Sequence, residues 1–271
     1  MTIVALILSL GFVFIAIVMS KSFKLGLDRD IIIATIRASV QLLVIGYVLH
    51  LIFGMQSYGF IVLFILLMIT VASQNVARKG RFIPQLMWKS FLTLLCVEIV
   101  TQAFLIGLHI IPATARYMIP ISGMIIGSSM ILSSLLVSRL KSEVLLRKPE
   151  IMLILALGGT PRQAIFPILK NCIHSSMIPT IEGQKTLGLV QLPGMMTGQI
   201  IAGANPIVAV RLQLLIVFTT MTSAILTSVL LSLFIYPPAT TAYRVLGSLI
   251  ETGIPSYLPT IFHLSKLNRH V

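Results

Sequence analysis

Charge is what this sequence has least of. Only 10% of its 271 residues are Asp, Glu, Lys or Arg, against about a quarter in a soluble globular domain, and its mean hydropathy is +1.03. A water-soluble fold is excluded, and the chain is read as an integral membrane protein. Acidic residues are the scarcest, 7 against 20 basic ones, which leaves a net charge of +13. That sign would suit nucleic acid, but the basic residues lie between apolar runs of membrane length and form no surface stripe, so they are read as topology charge and no nucleic-acid partner is expected. Cysteine is rare too. Cys96 lies inside an apolar run and Cys172 in a loop placed in the cytosol, which argues against a disulfide framework or a thiolate metal pair. The catalytic motifs are missing. There is no G-x-x-x-x-G-K-[ST] phosphate loop, because Gly183-Gln184-Lys185-Thr186 lacks the glycine spacing, and no H-E-x-x-H or G-x-S-x-G pattern. With its five histidines scattered as well, the polypeptide is not expected to be an enzyme, to bind a cofactor or to hydrolyse ATP unaided.

What is present is apolar sequence in lengths that match a bilayer. A crossing helix takes about 20 mostly apolar residues, and runs of that kind are Thr2–Ser20, Ile31–Phe53, Tyr58–Val76, Ser90–Ile111, Met118–Val137 and Leu212–Tyr236. A seventh, Leu187–Ala204, is shorter and interrupted at Pro193-Gly194. The first run is read as a retained helix, because Lys21, Lys24 and Arg29 follow it where a signal peptide would have basic residues in front. With this alternation all but three of the 20 Lys and Arg residues fall on one side. The exceptions are Arg116 and Arg211 opposite and Arg37 within a span, and the positive-inside rule makes the rich side the cytoplasm. The expectation is an all-α polytopic protein of the plasma, or bacterial inner, membrane with about seven transmembrane helices, its N-terminus outside and its C-terminus cytoplasmic. One transmembrane domain covers 1–248, with a cytoplasmic insertion over 139–186 between helices five and six, and 249–271 forms a cytoplasmic tail. Residues 166–181 are assigned to an interfacial or cytoplasmic helix, since Lys170, Asn171 and His174 sit in mid-run and each ionisable group at mid-bilayer costs about 2.5–3.5 kcal/mol.

The insertion carries its own punctuation. Lys148-Pro149-Glu150 starts a helix, with proline in the first turn and a carboxylate at the positive end of the dipole. Gly158-Gly159 ends it, and Thr160-Pro161-Arg162-Gln163 starts another with a capping box. Two short helices at a glycine hinge are predicted.

Resemblance adds a function to this pattern. Glu150, then Gly158, Phe166 and Ile178-Pro179, are similar to the loop of ABC-transporter permeases that carries a Glu-Ala-Ala…Gly pattern, although Ile151-Met152 stand where that loop has alanines. Arg37-Ala-Ser-Val-Gln41-Leu, Ile119-Pro-Ile-Ser-Gly-Met-Ile-Ile-Gly127, Ala156-Leu-Gly-Gly-Thr-Pro-Arg-Gln163 and Leu192-Pro-Gly-Met-Met-Thr-Gly-Gln-Ile-Ile-Ala-Gly203 resemble the FetB-type permeases, a family of iron-export ABC permeases and plant aluminium-tolerance membrane subunits. The resemblance runs over about 5–246 and stops before the tail. It implies a permease subunit, working as a homodimer with a separate ABC ATPase that consumes the ATP, and exporting iron or another metal ion. It also makes the insertion a coupling helix seated on the ATPase, with Glu150, Gly158, Gly159, Thr160, Pro161 and Arg162 as the coupling residues.

Polar residues inside apolar runs mark a candidate transport path. Arg37 lies about 10 Å into span two, counted from Ile31, with Gln41 one turn deeper. Glu98, counted from Ser90, lies at about 12 Å in span four, with Gln102 one turn beyond. Arg37 and Glu98 could form a structural pair, Glu98 could belong to a cation path, or Arg37 could snorkel to the headgroups. Pro193 and Gly194 predict a kink or break that is tolerated in a membrane only beside protein or a watery cavity, and Gln199 flanks it. Met195 and Met196 offer soft sulfur to a transition metal or fill the core, so the tentative metal set is Glu98, Met195 and Met196. Gly123-x-x-x-Gly127 and Gly194-x-x-x-Gly198 permit close helix contact, between spans five and six or across a dimer axis. The competing reading is a secondary transporter driven by an ion gradient, with Glu98 as its proton or cation site; it lacks the internal repeat usual in such proteins.

Overall fold

The computed structural model describes residues 3–55 and 58–235. Their regular structure consists of nine helices, with no strand among the described residues. Five of these helices are long and apolar enough to cross a bilayer: α2 (Asp28–Met55), α3 (Tyr58–Lys79), α4 (Leu86–Gly107), α5 (Ala115–Leu146) and α9 (Pro206–Ile235). The first helix, α1 (Ile3–Ser22), contributes a shorter described apolar stretch, Leu8–Ser22. Against the expected count of about seven spans, five therefore meet the length and composition of a crossing among the described residues. The tail over 249–271, and the last residues of the domain expected over 1–248, lie outside the described residues.

The chain divides into two units, Met1–Phe60 and Ile61–Val271. The first holds α1 and α2, joined by a tight link in which Lys24 (φ 51°) and Gly26 (φ 68°) take left-handed backbone conformations. Ser20 closes that link twice, its carbonyl accepting from Leu25 N at 2.9 Å and its hydroxyl from Leu27 N at 3.2 Å. Asp28 and Asp30 then sit in the first turn of α2, where carboxylates meet the positive end of the helix dipole.

The second unit is built around α5. This helix packs against α4, α7 (Pro161–Lys185) and α9, and it is the most buried of the five. Small residues stand among its buried aliphatic ones: Ser122, Ser129 and Ser133 are all buried, as are Ser223, Thr227 and Ser228 on α9. Small hydroxyl residues let helix backbones approach in a membrane and supply their own bonds across the seam. The Thr227 hydroxyl is 2.6 Å from Ser223 O and 3.0 Å from Ser129 Oγ. A hydroxyl has one proton, so Thr227 donates to the carbonyl and accepts from Ser129.

Two helix boundaries differ from expectation with consequences for the site. Helix α4 begins at Leu86 after Gln85 (φ 58°), not at Ser90, and it ends at Gly107 because Pro112 follows and His109 (φ 54°) has left the helical region. Helix α5 continues past Val137 to Leu146, so Arg139 and Lys141 are its own last turns and not a separate insertion.

The largest difference concerns 166–181. These residues do not form a helix of their own; they belong to the 25-residue α7, which lies along α5 and α9. Ala164, Ile165, Ile168, Leu169 and Cys172 pack with Leu136, Leu140 and Val144 near one end of α5, and Met177 reaches Leu132 and Ala224. Gln184 Nε2 donates to Val217 O of α9 at 3.2 Å. Since Val217 is the twelfth residue of the 30-residue α9, α7 ends near the mid-length of a spanning helix. The polar residues that argued for an interfacial position, Lys170, Asn171 and His174, are exposed on the opposite face. A narrow apolar stripe at 3- and 4-residue spacing was enough to dock α7, although its average hydropathy is low.

The weak span Leu187–Ala204 is likewise not one helix. Residues 186–193 are irregular, and a short helix, α8 (Gly194–Ile201), follows. Pro193 is the N-cap of α8 and Gly194 its first residue, so of the kink or break expected there the structure has the break, with a helix starting beyond it.

Candidate transport site and hinge

Glu98 comes to lie about 18 Å along α4 from Leu86, deeper than its distance from Ser90 implies. It is only 4% exposed, and Gln102, one turn on, only 8%. The Gln102 amide bridges two helices: Nε2 donates to Glu98 Oε1 at 3.1 Å and to Ser122 Oγ of α5 at 2.8 Å. Glu98 Oε2 and Gln102 Oε1 are buried with no hydrogen-bond partner among the described residues. Of these two buried acceptors the carboxylate oxygen can take up a proton, and both are oxygen donors of the kind a cation uses.

Met195 and Gln199 of α8 line a cavity of about 220 Å³ together with Arg116, Tyr117 and Pro120 of α5 and the start of α9. Glu98 and Met196 are not among its lining residues. The three tentative metal ligands therefore divide between two places, and among the described residues no three His, Cys, Asp or Glu side chains come together as a ligand cluster. Arg37 and Gln41 belong to the other unit, on α2, and are exposed there. The glycine faces are used unequally. A methyl on Gly123 would touch Met68 Cε of α3 at 3.2 Å, whereas Gly127, Gly194 and Gly198 face open space within 4 Å. No contact between α5 and α8 closes over those three glycines.

At the far end of α5 the predicted hinge is present in detail. The helix α6 (Lys148–Ala156) carries proline in its first turn and Glu150 behind it, where Glu150 Oε2 lies 3.9 Å from Arg147 Nη1. It ends with Gly158 N bonded to Leu155 O at 3.1 Å and Gly159 N to Ile154 O at 2.9 Å, a glycine-terminated cap. Gly158 has φ +85°, and a methyl on Gly159 would lie 2.7 Å from Ile154 O. Thr160 then caps α7: its hydroxyl accepts from Gln163 N at 3.3 Å, and its own N donates to Gln163 Oε1 at 2.8 Å. Pro161 and Arg162 form the first turn. Leu153 and Leu157 are 60% and 80% exposed beside the hinge, which leaves an apolar surface there.

The sequence profile described as "Uncharacterised protein family (UPF0014)" matches residues 3–239. The chain belongs to the UPF0014 family. Within UPF0014, the "UPF0014 membrane protein YjkA" of Bacillus subtilis (strain 168) is 61% identical over 240 residues, which are 89% of this chain and 96% of that protein. The "Probable iron export permease protein FetB" of Escherichia coli (strain K12) is 34% identical, over 83% of this chain and 87% of its own. "Protein ALUMINUM SENSITIVE 3" of Arabidopsis thaliana is also 34% identical, over 83% and 82% respectively. The resemblance to a FetB-type family is thereby established over nearly the whole chain. No solved structure matches.

Sequence reasoning missed several residues of this UPF0014 site. Ser122 was visible only as one serine in an apolar motif, yet it is the partner that ties Gln102 to α5. Gln213, whose buried Oε1 also lacks a partner among the described residues, carried the same signal, a lone amide in an apolar run. Arg116 was read only as a charge on the side opposite the cytoplasm and Tyr117 carried no signal, yet both line the cavity with Met195.

Proposed function

We propose that this chain is the membrane-spanning subunit of an ABC transporter that exports a metal ion. Iron is the first candidate, because the FetB relative is named an iron export permease. ATP is hydrolysed on a separate ATPase that docks against α6 and the Gly158–Arg162 hinge, on the cytoplasmic side of the membrane, and two copies of the permease enclose the path. The observation that carries the reading is the continuity of α7. This helix starts at a stiffly capped hinge beside exposed Leu153 and Leu157, and it runs unbroken to the irregular stretch 186–193 near the mid-length of α9. A push on the hinge passes along α7, which stays helical through Pro167 and Pro179, to the place where backbone order stops. Irregular backbone at membrane depth is stable only beside protein or a water-filled cavity, which suits a cargo path.

In this reading Glu98 and Gln102 form the polar waist, and Arg37 and Gln41 of α2 are candidate path residues of the N-terminal unit taken by itself. Pro193, Gly194, Met195, Met196 and Gln199 line the movable segment.

Gly158→Arg tests the docking role, since the arginine meets open space at the hinge but occupies a left-handed backbone position. The variant is expected to insert in the membrane and lose the co-purifying ATPase. Normal co-purification would remove the hinge from the interface. Glu98→Gln is expected to raise cellular iron under iron load, and unchanged metal content would take Glu98 out of the path. The unpartnered Glu98 oxygen also favours a second reading, an ion-gradient-driven transporter with Glu98 as the ion site. Metal transport by purified protein in vesicles without any ATPase would select it.

A further inference from the structure

An outward-facing groove of about 470 Å³ runs between α4 and α9, and the transport reading makes no use of it. Its walls are Val100 and Phe104 on one side and Leu214 and Phe218 on the other, each substantially exposed. Three threonines also line it, but their hydroxyls are already bonded to their own helices. Thr101 donates to Val97 O at 2.8 Å, Thr219 to Leu215 O at 2.9 Å and Thr222 to Phe218 O at 2.9 Å. The threonines therefore leave the groove no unpaired hydroxyl proton, and it is chemically a hydrocarbon slot.

One charge breaks that pattern. Arg211 lines one end of the groove, is exposed and forms no ion pair among the described residues. Its depth follows from helix length. The 30 residues of α9 are about 45 Å long, about 15 Å more than the hydrocarbon layer, so roughly 7 Å projects at each end and Arg211, five residues in, falls near the hydrocarbon edge. From Arg211 to Thr222 the groove extends about 16 Å along α9, close to half of the roughly 30 Å hydrocarbon thickness, the reach of one leaflet.

We infer that the groove is a binding site for a membrane phospholipid with an anionic headgroup, one acyl chain lying between α4 and α9 and the phosphate meeting the Arg211 guanidinium. An unpaired cation at that depth is costly unless an anion reaches it, and a guanidinium matches phosphate oxygens two at a time. The leaflet concerned is the one away from the basic ends of α3 and α5. This inference stands apart from the transport reading, which could fail without affecting it.

Native mass spectrometry of the full chain, purified in mild detergent and supplied with phosphatidylglycerol or phosphatidylcholine, tests it. Wild-type protein is expected to retain phosphatidylglycerol about fivefold more tightly, the worth of one arginine near an anionic headgroup. Arg211→Gln is expected to abolish the preference and Arg211→Lys to keep it. Thr219→Phe, which fills the slot, should lower retention of both lipids; should that variant misfold, Val100→Trp on the exposed rim replaces it. Equal retention of the two lipids by wild type, or undiminished retention in the slot-filling variant, overturns the inference. So does disulfide crosslinking of Phe218→Cys chains in membranes with Cys96 and Cys172 replaced by serine, because a second copy would then cover the groove.

Discussion

Glu98 and Gln102 show how a few polar atoms acquire weight in an apolar setting. The single Gln102 amide group serves both the Glu98 carboxylate and Ser122, while an oxygen on each side chain is left over. Gln102→Leu removes the shared donor and strands a second carboxylate oxygen, a loss of about 1–3 kcal/mol for a buried group. Its melting temperature in detergent should fall clearly below wild type. Glu98→Gln keeps the shape and removes the charge, so it should melt at or above the wild-type temperature while losing transport. In the Glu98→Gln background the Gln102→Leu cost should shrink, and a double-mutant cycle with purely additive costs would show that the two side chains are not coupled. The sequence displayed Glu98 and Gln102 one turn apart, but Ser122 lies 20 positions away and nothing local points to it.

At the scale of elements, two glycine turns set the geometry at the ends of α3 and α6. Gly80 joins α3 to α4, and a methyl there would collide with Leu86 and come within 2.6 Å of Val137 Cγ1. Gly80→Ala should cost about 1–3 kcal/mol through overpacking, read as a lowered melting temperature. Gly159→Ala meets the Ile154 carbonyl, which is backbone and has no easy retreat, so it should loosen the α6–α7 turn and raise protease sensitivity there. Thr160→Ala deletes the cap of α7 at about 1 kcal/mol and should have the same effect in milder form. The hinge was legible because capping residues act within one turn and announce themselves by spacing. The docking of α7 was not. Its lipid-averse face and its packed face alternate within single turns, and a hydropathy window averages them away.

For the whole molecule, the orientation expected from the basic residues gathered at the α3 and α5 ends can be measured directly. With Cys96 and Cys172 replaced, Leu157→Cys at the exposed hinge is expected to react with a membrane-impermeant maleimide in inside-out vesicles and to stay unlabelled in right-side-out ones. The opposite pattern would put the hinge on the external face and end the ATPase-docking reading. The open glycines Gly127, Gly194 and Gly198 belong to this scale as well. If two permeases share a path, crosslinks between copies should cluster on α8.

By itself the sequence determined that this is a helical membrane protein and where most of its helices lie, because a hydrocarbon layer admits only long apolar runs and capping chemistry is local. It also determined the family, since near-continuous motif similarity needs no structure. Only the tertiary structure decided that α7 lies along α5 and α9, that the seventh run is an irregular stretch and a two-turn helix, and that Met195 lines a cavity to which Glu98 does not contribute. Those outcomes depend on which faces find partners across the bundle, a free energy of packing summed over residues far apart in the chain that no window along it contains.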